Sequence, residues 1–254
     1  MRLRVLGCSG GFGAGLRTTA FLVDDDVLVD AGTGVGDLTH EEMCRIRHIF
    51  VTHSHLDHVA SIPLLVDSLF DELREPLVVH AQQETIDALR THLFNWQIWP
   101  DFSALPDPER PVLRFEALEP GEVCRVGART LEAIPVAHTV PAVAYRCSNA
   151  HSAFCFSGDT STNDTLWPRL NGDEALDMLI VEVGFPDGEE ELARLARHYC
   201  PRLLAEDLAK LDTRPRIAIT HLKPGDEALT MDELHAALPG YDVRRLQAGD
   251  AFQL

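Results

Sequence analysis

Between Thr52 and His58 the chain reads Thr-His-Ser-His-Leu-Asp-His, which puts three imidazoles and a carboxylate within six positions. Imidazole nitrogens and carboxylate oxygens are good donors for zinc and neighbouring transition metals. The run follows the short apolar stretch His48–Val51, which reads as a strand. The turn that leaves a strand lets successive side chains converge on one point. The alternative, a polar loop that merely contains histidines, fits this spacing poorly. One cation needs three or four ligands, and two need more than this loop holds, so further donors belong at other strand ends. His138 follows the strand-like Leu131–Val136. Asp159 sits in Ser157-Gly158-Asp159-Thr160 after Ala153–Phe156, and His221 follows Arg216–Thr220. Each is weak alone; together they predict one metal centre.

Two other groups of residues invite a chemical reading. Glu182 stands in the apolar run Ile180–Phe185, where a buried charge is costly unless it is paired. The stretch Asn95–Phe102 holds two of the three tryptophans beside an amide and a proline. Asn95, Trp96 and Trp99 suit a platform on which a base stacks while the amide reads its edge. The alternative is a helix end packed into the core, or a homodimer contact. The remaining histidines, at 40, 48, 80, 92, 151 and 235, lack comparable placement and read as surface or core residues.

The elements that must position these groups alternate between strand and helix patterns. Arg2–Gly7 reads as a strand and Gly7–Gly15 as a glycine-rich loop. Thr19–Val23 and Val27–Val29 read as a hairpin turning at Asp24-Asp25-Asp26. Val59–Leu73 has helical apolar spacing, Leu77–His80 is a strand, and residues 83–93 read as a helix. Short strands follow at Leu113–Ala117, Val123–Val126, Arg129–Val136, Val143–Cys147, Ala153–Phe156 and Met178–Val183. Glu189–Tyr199, Pro201–Leu211 and Met231–Leu238 complete the helices, with Pro201 at a first turn where its missing N–H costs nothing. Many strands with helices in each half predict a layered α/β protein with sheets inside.

The 254 residues carry no linker rich in Gly, Ser or Pro, and read as a single domain spanning 1–254. Lys and Arg total 22 against 40 Asp and Glu, a balance of −18. That charge disfavours a large nucleic acid as partner, since gripping many phosphates needs a basic surface. A small anion held through metal ions is not penalised in this way. No apolar run approaches the ~18–20 residues of a membrane span. The N-terminal stretch lacks the features of a signal peptide, so a cytoplasmic location is expected. Six scattered cysteines with no C-x-x-C pair read as reduced core residues.

Over its whole length the chain resembles the hydrolases of the metallo-β-lactamase superfamily. The resemblance rests on Asp30 in Leu28-Val29-Asp30-Ala31-Gly32, the His53–His58 loop, His138, Asp159 and His221. It implies an αββα sandwich, two mixed sheets flanked by helices, with a two-metal site on one edge. In that scheme His53, His55 and His138 hold one metal. Asp57, His58 and His221 hold the other, and Asp159 bridges them. Asp30 orients a ligand histidine, or is simply a strand-end aspartate. The metals implied are divalent ions, Zn2+ first, with Mn2+ or Fe2+ also compatible.

The run His53–Ser68, apart from Pro63, and the run His92–Phe102 are similar to signatures of class II cyclic-nucleotide phosphodiesterases. A binuclear phosphodiesterase acting on a small phosphodiester such as a 3′,5′-cyclic nucleotide is therefore expected. In it Asp57 accepts a hydrogen bond from the attacking water, and Thr139 and Thr160 donate to the phosphate. A resemblance to the RNase Z-like branch implies that Glu182 orients His198, which protonates the leaving oxygen. A buried structural ion pair is the competing reading. RNase Z-like processing of tRNA ends and hydrolysis of thioesters or lactones are the rival activities.

Overall fold

The computed structural model describes residues 1–172 and 176–254. The chain first builds β1 (Arg2–Gly7), β2 (Ala20–Val23), β3 (Val27–Val29), β4 (His48–Phe50), β5 (Leu77–Ala81) and β6 (Leu113–Ala117). It then crosses to a second sheet of β7 (Val123–Val126), β8 (Arg129–Val136), β9 (Ala142–Ser148), β10 (Ala153–Phe156), β11 (Met178–Glu182), β12 (Arg216–Thr220) and β13 (Val243–Arg245). A last strand, β14 (Ala251–Gln253), returns to pair with β1. Each sheet has seven strands, ordered β14-β1-β2-β3-β4-β5-β6 and β13-β12-β11-β10-β9-β8-β7. Both are mixed: β3 to β6 run parallel in the first, and β10 to β13 in the second.

Three apolar clusters hold the layers together. Phe21, Val29 and Phe50 of the first sheet pack between the sheets against Tyr145, Phe154 and Phe156 of the second. On the outer face of the first sheet lie α1 (His40–Met43), α2 (Leu56–Val59), α3 (Ser61–Ser68) and α4 (Gln83–His92). On the outer face of the second lie α5 (Leu166–Leu170), α6 (Glu190–Ala196), α7 (Pro201–Leu208) and α8 (Glu227–Ala237). Each fully buried Phe or Leu contributes roughly 1.5–3 kcal/mol. That is enough for the frame to hold strained positions costing ~1–3 kcal/mol each.

Several sequence expectations shift in detail. The helix expected over Val59–Leu73 is two helices, α2 and α3, and α3 ends at Ser68. Pro63 is tolerated because it falls in the first turn of α3, where its N–H would have had no helical partner. The helix expected over Glu189–Tyr199 stops at Ala196, because Arg197 turns left-handed at φ 54°. Among the described residues no helix is long and apolar enough to cross a membrane.

One consequence of the topology matters most. Asp30 follows β3, His53–His58 follows β4, His138 follows β8, Asp159 follows β10, Glu182 ends β11 and His221 follows β12. All six strands deliver these residues at their carboxyl ends, along one edge of the two-sheet stack.

Candidate active site

At that edge the side chains form two groups that share one carboxylate. In the first, donor atoms of His53, His55, His138 and Asp159 lie within 4.8 Å of one another. In the second, those of Asp57, His58, Asp159 and His221 do the same. Asp159 Oδ2 stands 3.7 Å from His53 Nε2 and 3.3 Å from His58 Nε2, while its Oδ1 is 3.4 Å from His221 Nδ1. His53 Nε2, His58 Nε2, His221 Nδ1 and Asp159 Oδ1 are all buried with no hydrogen-bond partner. Orphaned buried polar atoms are costly, and here they converge on one space. A divalent cation in each group would satisfy them, so the donor set fits metal binding.

The outer nitrogens of the rings are held so that the inner ones keep lone pairs. Asp30, fully buried, accepts from Thr52 N at 2.8 Å, from Thr52 Oγ1 at 2.8 Å and from His58 Nδ1 at 2.6 Å. Thr52 Oγ1 lies 3.0 Å from His53 Nδ1 and accepts its proton, having given its own to Asp30. His138 Nδ1 donates to the Arg197 carbonyl at 3.0 Å, and Arg197 Nη1 donates back to the His138 carbonyl at 2.5 Å. Such outer partners fix the tautomer and direction of metal-binding imidazoles.

Charge follows this geometry. Burial holds the His53 imidazole well below its usual range, and lowers His138 and His221 to about 4. Neutral imidazoles have the lone pairs that metals need. Burial pushes Asp159 up, but His221, His58 and His53 together outweigh it and keep the carboxyl well below the usual range.

The backbone is shaped for this packing. Asp30 and His221 both adopt left-handed conformations, φ 57° and 63°, in the strained turns that aim their side chains. Gly32 lets the Asp57 carbonyl approach to where its own Cβ would sit only 2.2 Å away. Gly10 does the same for the His221 carbonyl at 2.3 Å, and Gly10 N donates to the Leu222 carbonyl at 3.0 Å. The glycine-rich loop is therefore a seat for the His221 turn.

Beside the cluster stands a second buried arrangement. Glu182 Oε1 accepts from His198 Nδ1 at 2.8 Å, from Thr160 N at 3.0 Å and from Tyr199 N at 3.3 Å. The left-handed turn at Arg197 carries the chain out of α6 so that His198 faces this carboxylate. The His198 ring stacks on His221 with centroids 5.1 Å apart, and lies 5.1 Å from His138. Burial pushes His198 down, but the Glu182 carboxylate outweighs it and holds the imidazole up at about 9. Lys223, absent from the sequence reading, stands 5.2 Å over the Phe185 ring, and its charge reaches His198. Its position two residues after a ligand-type histidine was the available signal.

Four residues expected to face substrate are placed otherwise. Thr160 is fully buried, and its hydroxyl accepts from Ala137 N at 3.1 Å and donates to the Ser161 carbonyl at 3.0 Å. It serves the frame and, through its amide, Glu182; it has no hydroxyl free for a phosphate. Thr139, by contrast, is exposed beside His138. Asn95, Trp96 and Trp99 lie at the far edge of the sheet. The chain leaves the carboxyl end of β5, runs back along α4 for ten residues, ~15 Å, and re-enters at Leu113 beside Leu77. The loop between therefore sits at the opposite end of these parallel strands from His53. There Phe102 packs on Phe70 and its carbonyl accepts from Leu113 N at 3.3 Å. The Asn95 amide caps its own loop, accepting from Gln97 N and Ile98 N at 3.0 and 2.8 Å and donating to the Thr91 carbonyl at 3.1 Å. Trp99 packs on the core, whereas Trp96 is 62% exposed. Trp96→Ala should accordingly leave KM for a cyclic nucleotide and for bis-p-nitrophenyl phosphate unchanged. A rise in KM for the nucleotide alone would restore the stacking role.

Two mixed sheets packed face to face between helices, with His and Asp donors gathered at one edge, define a protein of the metallo-β-lactamase fold. The metallo-β-lactamase fold protein YhfI of Bacillus subtilis superposes with a TM-score of 0.81 at 19% identity, covering 99% of each chain. Unliganded yeast PDE1 superposes with a TM-score of 0.82, also at 19% identity and over 99% of each chain. Within that fold the sequence is more specific: residues 36–162, half the chain, match the model of the class-II cAMP phosphodiesterases, and the chain belongs to that family. A probable 3′,5′-cyclic-nucleotide phosphodiesterase of Yersinia pestis is 28% identical over 225 residues, 79% of this chain. The chain spans 61% of the length of that relative.

Proposed function

We propose that this chain is a one-domain, binuclear metal-dependent phosphodiesterase acting on a small phosphodiester, foremost a 3′,5′-cyclic nucleotide. The observation that carries this reading is the pair of donor groups sharing Asp159, set beside the Glu182–His198 pair. His53, His55 and His138 would hold one cation, and Asp57, His58 and His221 the other, with Asp159 between them. Zinc suits this nitrogen and oxygen set best, and manganese or iron(II) would also fit it. Bound there, two cations supply Lewis acidity, lowering the pKa of water and neutralising phosphoryl oxygens.

The chain's own groups do the rest. Asp57 accepts a hydrogen bond from the attacking water, a role supported by the 35% exposure of its side chain. Thr139 is open to donate to a phosphoryl oxygen. His198, its Nδ1 proton held by Glu182, offers Nε2 to the ribose oxygen that leaves. All six cysteines are free thiols, which supports a reducing, cytoplasmic setting. The test is a hydrolysis panel of cyclic AMP, bis-p-nitrophenyl phosphate, a thioester and pre-tRNA. Cyclic AMP turnover well above the others is expected. Preference for pre-tRNA would favour RNA-end processing, against the −18 charge.

Asp30 gives a second test. Asn at this position keeps the shape but offers one acceptor in place of two, and turns a donor toward His58 or Thr52. Asp30→Asn should therefore weaken metal binding by ~10–100-fold, the usual worth of such an outer partner. Competition with a chromophoric chelator measures this. Unchanged affinity would make Asp30 only a strand-end residue.

A further inference from the structure

At the opposite end of the first sheet, three side chains of different chemistry meet on the surface. His40 opens α1, Cys44 caps its carboxyl end, and Glu72 lies in the turn after α3. Their donor atoms all lie within 4.8 Å of one another. His40 Nε2 is 3.7 Å from Cys44 Sγ and 3.4 Å from Glu72 Oε1. Around a tetrahedral zinc, ligand bonds of ~2.0–2.3 Å put sulfur about 3.6 Å and oxygen about 3.4 Å from an imidazole nitrogen. The two observed separations match those edges.

One ring nitrogen, Nε2, faces both the thiol and the carboxylate. If it carries a proton it can donate to Glu72 but cannot accept from the thiol, and without a proton the reverse holds. A cation on its lone pair would serve all three donors together. The scaffold is also preset. Thr39 and Glu42 form a capping box at the start of α1, and Arg4 clamps Glu42 from β1. Cys44 packs partly against the core, and Glu72 N donates to the Leu69 carbonyl at 2.9 Å.

We propose that His40, Cys44 and Glu72 form an additional, peripheral site for a zinc-class divalent cation, which clips α1 to the turn after α3. A thiolate, imidazole and carboxylate together select zinc or its transition-metal neighbours over magnesium or calcium, which take oxygen donors. Three protein ligands leave a fourth position to water, so this cation should exchange more readily than one in a closed four-ligand site.

The donor chemistry supplies the test, because the centre at the sheet edge has no sulfur. The full chain, stripped of metal by a chelator, is titrated with cobalt(II). The wild type should develop a thiolate-to-cobalt charge-transfer band in the near ultraviolet. Cys44→Ser should abolish the band while hydrolysis is retained. His40→Ala and Glu72→Ala should each shift its appearance to higher cobalt. In Asp159→Ala, which disrupts the sheet-edge centre, the band should persist. Absence of the band from wild type, its survival in Cys44→Ser, or unmoved midpoints in both His40→Ala and Glu72→Ala would overturn the site.

Discussion

Asp159→Ala should remove both the sheet-edge metal and activity. This carboxylate is the one donor common to the two groups, with Oδ2 facing His53 and His58 and Oδ1 facing His221. It is 2% exposed, so no water can take its place without entering a packed edge. Without it the first group keeps only imidazoles, and the second loses its link to the first. Elemental analysis in a Cys44→Ser background, which lacks the peripheral thiolate, should give close to two metals per chain, and adding Asp159→Ala should bring the content far below that. Thermal melting separates loss of metal from loss of fold, because apo wild type and apo variant should then melt alike. Full activity in this variant would end the binuclear reading, whatever its metal content.

The donor positions were legible because each follows a strand, and a strand's end fixes where its next residues go. The His53–His58 loop needed only the apolar run before it, and His138, Asp159 and His221 needed only their strands. What could not be read from single elements was which end of the sheet a loop occupies. Asn95, Trp96 and Trp99 looked like a substrate wall by composition. The route from β5 through α4 to β6 returns that loop to the amino end of the strands. Counting the crossover would have placed it there. Thr160 misled for a different reason. A threonine beside an aspartate resembles a phosphate contact until its burial and its four hydrogen-bond partners are known. The left-handed turn at Arg197 left no local signal, since glycine is the usual residue there. The capping box Thr39-x-x-Glu42 did leave one, and it marks the short helix that the apolar pattern missed.

His198→Ala should cut hydrolysis of a cyclic nucleotide by ~10²–10⁴-fold, the usual worth of a general acid. The ribose oxygen leaves as an alkoxide, a strong base that needs a proton as its bond to phosphorus breaks. A nitrophenolate is stable as an anion, so bis-p-nitrophenyl phosphate should lose far less. The placement of His198 supports this difference. Its Nδ1 is tied to Glu182 at 2.8 Å, its ring stacks on His221, and it reaches the edge of the cluster without belonging to either donor group. Metal content should therefore stay intact. Glu182 is fully buried and holds His198 through a single oxygen. Glu182→Gln keeps an acceptor there but removes the charge that holds the imidazole protonated. It should show the same selectivity for leaving group in milder form, acting as a positioning residue. The ratio of the two rates is the informative quantity, because a general defect in folding or metal loading lowers both rates together. Equal loss on both substrates, or loss of metal, would mean that His198 supports the structure of the centre and carries no proton to the leaving group.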